Sequence, residues 1–521
     1  MNRRAVAVLA CLALGVASFG PTQAQVPLAD PPDAVRYTLA DCLRIALENN
    51  LDLVGARKDP QIAEHQIDSS EARFDGVVGA EVGYQETSQD QTVTDLTSGT
   101  AANAPTDSDA ANASVSFRHL LDFGANYDVS LNGSTFDQAS REINTSTGFI
   151  QNNEIDATTT GLSLLYQMPL LRGFGTEVNT VDVLLARNGL AISKQDLRRQ
   201  ALLTAQQVED AYWNLLAGRA AHSVALESLK LARDLYELNK KKVEVGTLAP
   251  IDITQAEAGV AAREESVIVA ETLVWNAEDE LRRLLAIPEG DPSWARRIVP
   301  TDRPPVEQQG GVDVDAALAT AMERRPEVAS ARQRLDSEQL SERVAKRNVK
   351  HTLDLTAVFN PDRQDSDFVQ TLPLPLNTNI ETDSTDWRVG LIYGYPLGNR
   401  QAKADYSIAT LNREKGEVDL QNVQQTVRVD VRTAARNVES GAKRIAAARA
   451  NTQLQRKTLE AEQKKFDNGM STSFEVLRIQ TDLSDAQVRE IQALLDHAKA
   501  VADLERAKGT LLEARGLTLE P

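Results

Sequence analysis

The sequence predicts an α+β fold in which long helical hairpins are combined with antiparallel β-strands, and in which the whole unit occurs twice. Residues 241–257 (KKVEVGTLAPIDITQAE) return 223 positions later as residues 464–480 (KKFDNGMSTSFEVLRIQ), so that Gly469 corresponds to Gly246. Both stretches follow long segments without proline. Other segments alternate apolar and polar residues with the two-residue period of a strand.

The N-terminus predicts a secretory signal peptide over residues 1–24. Arg3 and Arg4 precede the apolar run AVAVLACLALGVA, and a small-residue cleavage site ends at Ala24. Its removal leaves Cys42 as the single cysteine, which excludes an intrachain disulfide. Export without disulfides favours a bacterial envelope protein. The formal net charge of −19 argues against a nucleic-acid partner.

The duplication divides the mature chain into two copies. Residues 38–57 (TLADCLRIALENNLDLVGAR) are echoed by residues 313–332 (DVDAALATAMERRPEVASAR). The stretch 287–311 is rich in proline and glycine and predicts a linker. We therefore predict a first helix–strand–helix repeat at 25–286 and a second at 312–521.

The long helices are predicted at about 181–245 and 402–468, each roughly 95–100 Å long. The shorter helices of the first copy, about 38–73 and 251–286, together match that length. Two apolar stripes run along the first long helix, which predicts two helical neighbours, either in a bundle or in the wall of a helical cylinder. The stripes are Val224, Leu231, Leu235 and Leu238, and Ala225, Leu229, Ala232 and Tyr236.

Strands are predicted at 78–84, 162–168, 353–359 and 387–395, with a further hairpin at 113–131. Their alternation and terminal aromatics are typical of lipid-facing barrel strands, although a soluble sheet packed on helices also alternates. One chain offers four to six strands, whereas a closed membrane barrel needs about eight or more. Because an open edge cannot face lipid, membrane strands would require several chains to share one barrel.

The polar segments 86–113 and 361–386 lie between these strands. They are rich in Asp, Ser, Thr and Asn, and we predict that they are solvated loops outside the cell.

Several stretches resemble the TolC-like outer-membrane efflux protein family. They are TLADCLRIALENN with its echo VDVDAALATAMERRPEV, the passages YQMPLLRGFG (166–175) and YGYPLGNRQAKADY (393–406), and the paired turns. The resemblance implies a homotrimer whose strands complete one barrel in the outer-membrane lipid and whose hairpins form a periplasmic α-barrel. It also implies a passive exit duct of a tripartite efflux system, with a periplasmic adaptor (membrane fusion) protein and an inner-membrane transporter.

Two alternatives stay open at this point. The same fold serves as the outer-membrane component of type I protein secretion. A periplasmic coiled-coil scaffold or adaptor without membrane strands belongs to a different functional class, and the alternating segments with aromatic ends argue against it.

The resemblance places the two turns at the periplasmic tip, where Gly246, Thr247, Asp252, Gly469 and Ser471 would contact the adaptor. A glycine that ends a helix in the left-handed conformation is the simpler structural explanation for each turn.

The resemblance also implies a periplasmic aperture lined by Glu475, Arg478 and Asp482. Arg478 replaces an acidic position of the family pattern, so the ring departs from a purely acidic one. Thr472 and Glu475 also form a capping-box sequence. A Glu475–Arg478 pair one turn apart, within or between chains, is predicted to latch the mouth.

Pro169 and Pro396 are predicted to mark the junction between barrel and tunnel. Proline suits the end of a strand, and its fixed φ suits the first turn of a helix.

No catalytic constellation is visible in the sequence. GxSxG, P-loop and CxxC motifs are absent, and the five histidines show no paired metal spacing. They are His65, His119, His222, His351 and His497. The sequence therefore predicts no enzyme activity, no cofactor and no metal site.

Overall fold

The computed structural model describes residues 34–94, 101–143, 150–288, 290–292, 294–304, 311–365 and 384–518. The predicted signal peptide lies outside them. The chain divides into two compact units. We call the described residues within 1–43, 208–307 and 443–498 the turn unit, and the described residues within 44–207, 308–442 and 499–521 the sheet unit.

Eleven α-helices occur in the described part of the chain. They are α1 (Leu39–Asn49), α2 (Leu51–Ala56), α3 (Lys58–Glu71), α4 (Thr176–Asn179), α5 (Val181–Glu244), α6 (Ile251–Leu285), α7 (Val314–Arg324), α8 (Pro326–Asn348), α9 (Arg400–Asp467), α10 (Ser473–Lys508) and α11 (Leu511–Ala514), and a 3-10 turn at Ala72–Phe74 follows α3.

The two long helices agree with prediction: α5 has 64 residues and α9 has 68. The segment predicted as one helix at 38–73 is broken into α1, α2 and α3. The first break lies at Asn50, whose side-chain oxygen accepts hydrogen bonds from the amides of Asp52 and Leu53 and so starts a new helix.

Both predicted apolar stripes of α5 are covered by neighbouring side chains. Leu229, Ala232 and Leu235 are buried, and Leu231 and Leu238 are partly buried. The charged residues between the stripes are exposed. Two covered faces agree with two helical neighbours for this part of α5.

Eight strands are described. They are β1 (Val35–Tyr37), β2 (Val77–Thr94), β3 (Ala101–Leu120), β4 (Asn126–Ile143), β5 (Ile150–Pro169), β6 (Ile298–Pro300), β7 (Thr352–Asp365) and β8 (Ser384–Gly394). The six longer strands form one antiparallel sheet in the order β2-β3-β4-β5-β7-β8. The first copy thus contributes four strands and the second copy two.

The register places one apolar row across all six strands of this sheet. Its members pair in the order Val78, Phe117, Val129, Leu164, Phe359 and Trp387. The neighbouring row on the other face is polar or glycine, and it includes Gly79, Ser116, Ser130 and Ser163. The sheet therefore has one apolar and one polar face.

The polar segment 86–113 is not the loop that its composition predicted. β2 continues to Thr94 and β3 begins at Ala101, and these two residues pair directly. The ladder hydrogen bonds are made by the backbone, so polar side chains can extend a hairpin that apolar residues begin. Most of the second polar segment, 361–386, lies outside the described residues.

A second sheet of two parallel strands, β1 and β6, was not predicted. In the turn unit it lies beside a hydrogen-bonded tyrosine. The Tyr212 hydroxyl lies 3.2 Å from the Tyr37 carbonyl oxygen and accepts from the amides of Thr301 and Asp302 at 3.0 Å each. The Asp302 carboxylate accepts from the Leu39 amide at 2.6 Å. Tyr212 therefore connects the end of β1 to the segment after β6.

Candidate functional site at the paired helical turns

The turn between α5 and α6 ends α5 with a left-handed glycine. Gly246 has a φ of +78°. Its amide donates to the Val243 carbonyl at 2.9 Å, and the Thr247 amide donates to the Lys242 carbonyl at 2.8 Å. These bonds satisfy carbonyl groups that a helix end leaves free. A β-carbon at Gly246 would meet nothing within 4 Å, so the backbone conformation rather than space selects glycine.

The turn between α9 and α10 has the same geometry. Gly469 has a φ of +72°. Its amide donates to the Phe466 carbonyl at 3.2 Å, and the Met470 amide donates to the Lys465 carbonyl at 2.8 Å. The donors and acceptors of both hydrogen bonds therefore occupy equivalent positions in the two repeats.

Lys242 joins the first turn to the end of α9. Its Nζ donates to the Phe466 carbonyl at 3.1 Å, lies 3.9 Å from the centroid of the Phe466 ring, and lies 3.8 Å from the Asp467 carboxylate. A cation held by a carbonyl, a ring face and a carboxylate restrains the two hairpins relative to each other. In the described part of the chain, the ammonium group of its repeat partner Lys465 pairs only with Glu462 on its own helix.

Asn239 makes a second, buried connection between the hairpins. Its Nδ2 donates to Ser473 Oγ at 2.6 Å and to the Asp252 carbonyl at 3.2 Å. Asn239 and Ser473 are both fully buried. One amide therefore holds the beginnings of α6 and α10 together, and losing it would leave buried polar groups unpaired.

An apolar cluster lies behind these polar contacts. It brings together six buried side chains of α5, α9 and α10, namely Leu235, Leu459, Phe466, Val476, Ile479 and Leu483. The helices near both turns consequently pack as one body.

The predicted adaptor-contact residues lie at the ends of this body. The Thr247 hydroxyl donates to the Lys242 carbonyl at 2.8 Å, and the Ser471 hydroxyl donates to Glu462 at 2.5 Å. That hydrogen bond, assisted by Lys465, lowers the pKa of the Glu462 carboxyl group. Asp252 lies in the first turn of α6, where a carboxylate favours the helix start.

Glu475 and Arg478 form the predicted pair within one chain. Glu475 Oε2 accepts from Arg478 Nη2 at 2.6 Å and from Nε at 3.0 Å. The Glu475 amide donates to Thr472 Oγ1 at 3.4 Å, which is one half of the predicted capping box. Asp482 lies half-buried further along α10. Whether these three residues line an aperture stays a prediction.

The sequence did not indicate how apolar the exposed surface of the turns is. Four side chains are largely exposed: Val245 at 73%, Ile251 at 60%, Met470 at 71% and Phe474 at 59%. Ile251 and Phe474 occupy equivalent positions when the two turns are aligned at the 223-residue offset.

The sequence did not reveal that Lys242 and Asn239 connect the two hairpins, because their partners lie more than 220 residues away.

Pro169 and Pro396 lie near the ends of strands but not in the first turn of a helix. Pro169 is the last residue of β5, and α4 begins at Thr176; Pro396 follows β8, and α9 begins at Arg400. Residues with positive φ redirect the chain in between. They are Gly173, Gly175, Gly398 and Asn399. The helix-starting role predicted for the prolines is therefore wrong, whereas their place at strand ends holds.

Neither a membrane-crossing helix nor a metal-binding group of His, Cys, Asp and Glu occurs among the described residues.

Residues 42–286 and 317–510 match the outer membrane efflux protein family. The chain belongs to this family. Its two matched segments fit the internal repeat, and the predicted α+β fold is confirmed. It is an efflux channel of the outer membrane with a large periplasmic part, not an enzyme.

Solved structures similar to this efflux protein include three bacterial channels. The Campylobacter jejuni CmeC outer membrane channel is 16% identical with a TM-score of 0.61, covering 91% of this chain and 86% of its own. VceC from Vibrio cholerae is 15% identical with a TM-score of 0.60, and the match covers 90% of this chain and 96% of VceC. The open state of the Neisseria gonorrhoeae MtrE channel is 17% identical with a TM-score of 0.60, and the match covers 91% of this chain and 89% of MtrE. At these identities the likeness shows the fold. No curated protein sequence matches the chain.

Proposed function

We propose that three copies of this efflux channel share one outer-membrane barrel and act as the exit duct of a tripartite pump. A periplasmic adaptor would bind the paired turns, and an inner-membrane transporter would supply the energy. The observation that carries the proposal is the six-stranded sheet, which has an apolar face and two edge strands that pair with no further strand among the described residues.

The two edge strands support pairing with further copies of the chain. β2 and β8 are the edge strands of the sheet. Unpaired backbone groups on an edge cannot face lipid, and about eight strands are the smallest closed barrel. Three copies, the number implied by the resemblance, would pair β8 of one chain with β2 of the next and combine eighteen strands. Barrels of that size leave a water-filled channel.

The apolar face approaches the height of the apolar band of outer-membrane barrels. In β8 and the residues after it, Trp387, Val389, Leu391, Tyr393 and Tyr395 alternate on one side, and all are more than half exposed. Eight strand steps span roughly 27 Å along the strand, or roughly 21 Å at a barrel tilt of about 40°. Outer-membrane barrels carry an apolar band of about 25 Å between aromatic girdles.

The adaptor interaction is tested by removing the left-handed glycines. We expect Gly246→Val combined with Gly469→Val to abolish site-specific crosslinking to the co-expressed adaptor. A β-branched residue at these φ values is strained by at least about 1–2 kcal/mol, so both turns must rearrange. Gly55→Val is the control, because Gly55 is exposed, lies inside α2 and also has free space for a β-carbon. Unchanged crosslinking in well-assembled channels would reject adaptor binding at the turns.

The opening of the proposed periplasmic aperture is tested with Lys242 and Lys465, which occupy equivalent positions in the two repeats. We expect Lys242→Met to raise the fraction of time that single channels spend in the high-conductance state by about tenfold or more. It removes a charge-assisted hydrogen bond and a cation–π contact, together about 2 kcal/mol. Lys465→Met should change little, because Lys465 does not contact the other hairpin in the described residues.

Glu475→Ala and Arg478→Ala test the proposed latch in the same recording, and no gain in open conductance would argue against it.

The type of cargo is decided by the partner. Co-purification of a small-molecule transporter with the adaptor supports efflux. Co-purification of a secretion ATPase would instead assign the duct to type I protein secretion.

A further inference from the structure

We propose that the corner where the last strand of the first copy and the two strands of the second copy meet the helices binds the headgroup of an anionic phospholipid in the membrane leaflet that faces the periplasm. The inference rests on the proposed function, because it takes the apolar face of the sheet to lie in lipid. Three chain segments of the sheet unit form this corner: the end of β5, the start of β7 and the end of β8.

The three segments converge on His351. The Arg172 amide donates to the His351 carbonyl at 3.2 Å, which holds the end of β5 against the start of β7. The rings of His351 and Tyr395 lie 4.4 Å apart, which adds the end of β8. The Asn399 side chain donates to the Val349 carbonyl at 2.8 Å, which holds the start of α9 to the same place.

Four cations are exposed on these segments and on the start of α9. We call Arg172, Lys350, Arg400 and Lys403 the basic corner. None of them takes part in an ion pair within the described residues, and the stretches 170–172, 349–351 and 393–403 contain no Asp or Glu.

The neighbouring carboxylate of α4 is already neutralised. Glu177 accepts from Arg343 at 2.8 Å and pairs with Arg347 at 3.2 Å. The cations of the basic corner are therefore left for a partner that brings its own negative charge.

The surroundings of the basic corner are those of a membrane interface. Tyr393 and Tyr395 are 60% and 52% exposed, and Leu397 is 94% exposed beside them. The Tyr393 hydroxyl lies 2.8 Å from His351 Nδ1, so its polar tip points toward the corner while its ring continues the apolar row. Tyrosines at the boundary, apolar residues on one side and cations on the other match the layering of a lipid leaflet.

The first copy carries no cation at the position equivalent to Lys350. Asp75 and Gly76 precede β2 where Lys350 and His351 precede β7. Both corners nonetheless connect a short helix to a strand in the same sheet. Because a strand of the same sheet begins after either charge, chain architecture alone does not demand a cation at Lys350.

A phospholipid fits this surface better than a soluble anion. The basic corner is an open surface, so a small free phosphate would gain only screened Coulomb energy there. A lipid headgroup gains the same charge contacts while its acyl chains lie on the adjoining apolar face. Basic residues near a membrane surface are each worth about a fivefold gain in binding to anionic lipid.

The test measures lipid adducts on the assembled channel. We would titrate the intact detergent-solubilised protein with phosphatidylglycerol or phosphatidylethanolamine of identical acyl chains, and count bound lipids by native mass spectrometry. We expect phosphatidylglycerol to bind at least about tenfold more tightly, and the preference to fall to near parity in Lys350→Gln/Arg400→Gln/Lys403→Gln. Glycerol 3-phosphate added in excess should not displace the lipid.

The matched control is Lys230→Gln/Lys443→Gln/Lys457→Gln, which removes the same charge from exposed positions of α5 and α9 and should keep the preference. An equal preference in both triple variants, or none in the unaltered protein, would overturn the inference. Displacement by glycerol 3-phosphate would show a soluble-anion site and also overturn it. Planar-bilayer current from the same samples separates the two proposals: a conducting channel without lipid preference loses only this inference.

Discussion

Leu131→Arg is expected to remove most of the channel from the outer membrane, whereas Ser130→Arg next to it is expected to leave insertion unchanged. Leu131 lies on the apolar face of β4, in the row that joins Val115 to Leu162, and Ser130 lies on the polar face. An arginine on the lipid face near the middle of a barrel costs about 2–4 kcal/mol. An arginine on the opposite face remains in water.

The measurement is the amount of protein that stays in carbonate-washed outer membranes, normalised to total synthesis. We expect at least about a tenfold loss for Leu131→Arg. Ser130→Arg should keep the normal amount and alter single-channel conductance instead, because its charge enters the water-filled interior. Normal insertion of Leu131→Arg, or equal loss in both variants, would contradict the assignment of the two faces.

Tyr212→Phe is expected to loosen the turn unit around β1 and β6. The hydroxyl accepts a hydrogen bond from the partly buried amide of Asp302, and an interior amide left without an acceptor costs about 1–3 kcal/mol. Hydrogen exchange at residues 298–304 should accelerate roughly 5- to 150-fold. Tyr236→Phe on the same helix is the control, since Tyr236 is only half-buried, and it should leave exchange unchanged. Protection that survives Tyr212→Phe would show that this hydroxyl is dispensable.

The same tyrosine should produce an alkaline stability step. Burial raises the pKa of Tyr212 from 10.0 to about 12. Its stabilising contribution is therefore complete below pH 10 and is lost as pH rises through about 12. Burial also raises the pKa of the Cys42 thiol to about 12, so the comparison is made in Cys42→Ala. In that background, the melting temperature should fall more steeply between pH 10 and 12 in the parent than in Tyr212→Phe.

The sequence predicted the helices well because their signal is local and long. The limits of α5 and α9 agree with the prediction within about two residues, since proline-free sequence with two apolar stripes defines a helix along its whole length. The glycine turns were predicted for the same reason. Each turn is closed by hydrogen bonds within six residues, and the repeat shows it twice.

What the sequence did not show depends on distant or backbone-only contacts. The strand extensions in 86–113 are held by ladder hydrogen bonds, to which side-chain polarity is a poor guide. Asn239 looked like one more polar residue of a helix, yet its amide meets Ser473 more than 230 positions away. Lys242 and Lys465 are identical in type and repeat position, and only the structure distinguishes the one that joins the hairpins.

One measurement on the purified channel tests the shared barrel most directly: native mass in detergent, followed by reconstitution of the same sample in a planar bilayer. If the sheets of three chains close one barrel, the native mass should be that of a trimer, and the same sample should form stable ion-conducting pores. A single chain that stays folded, stays out of lipid and carries no current would contradict it.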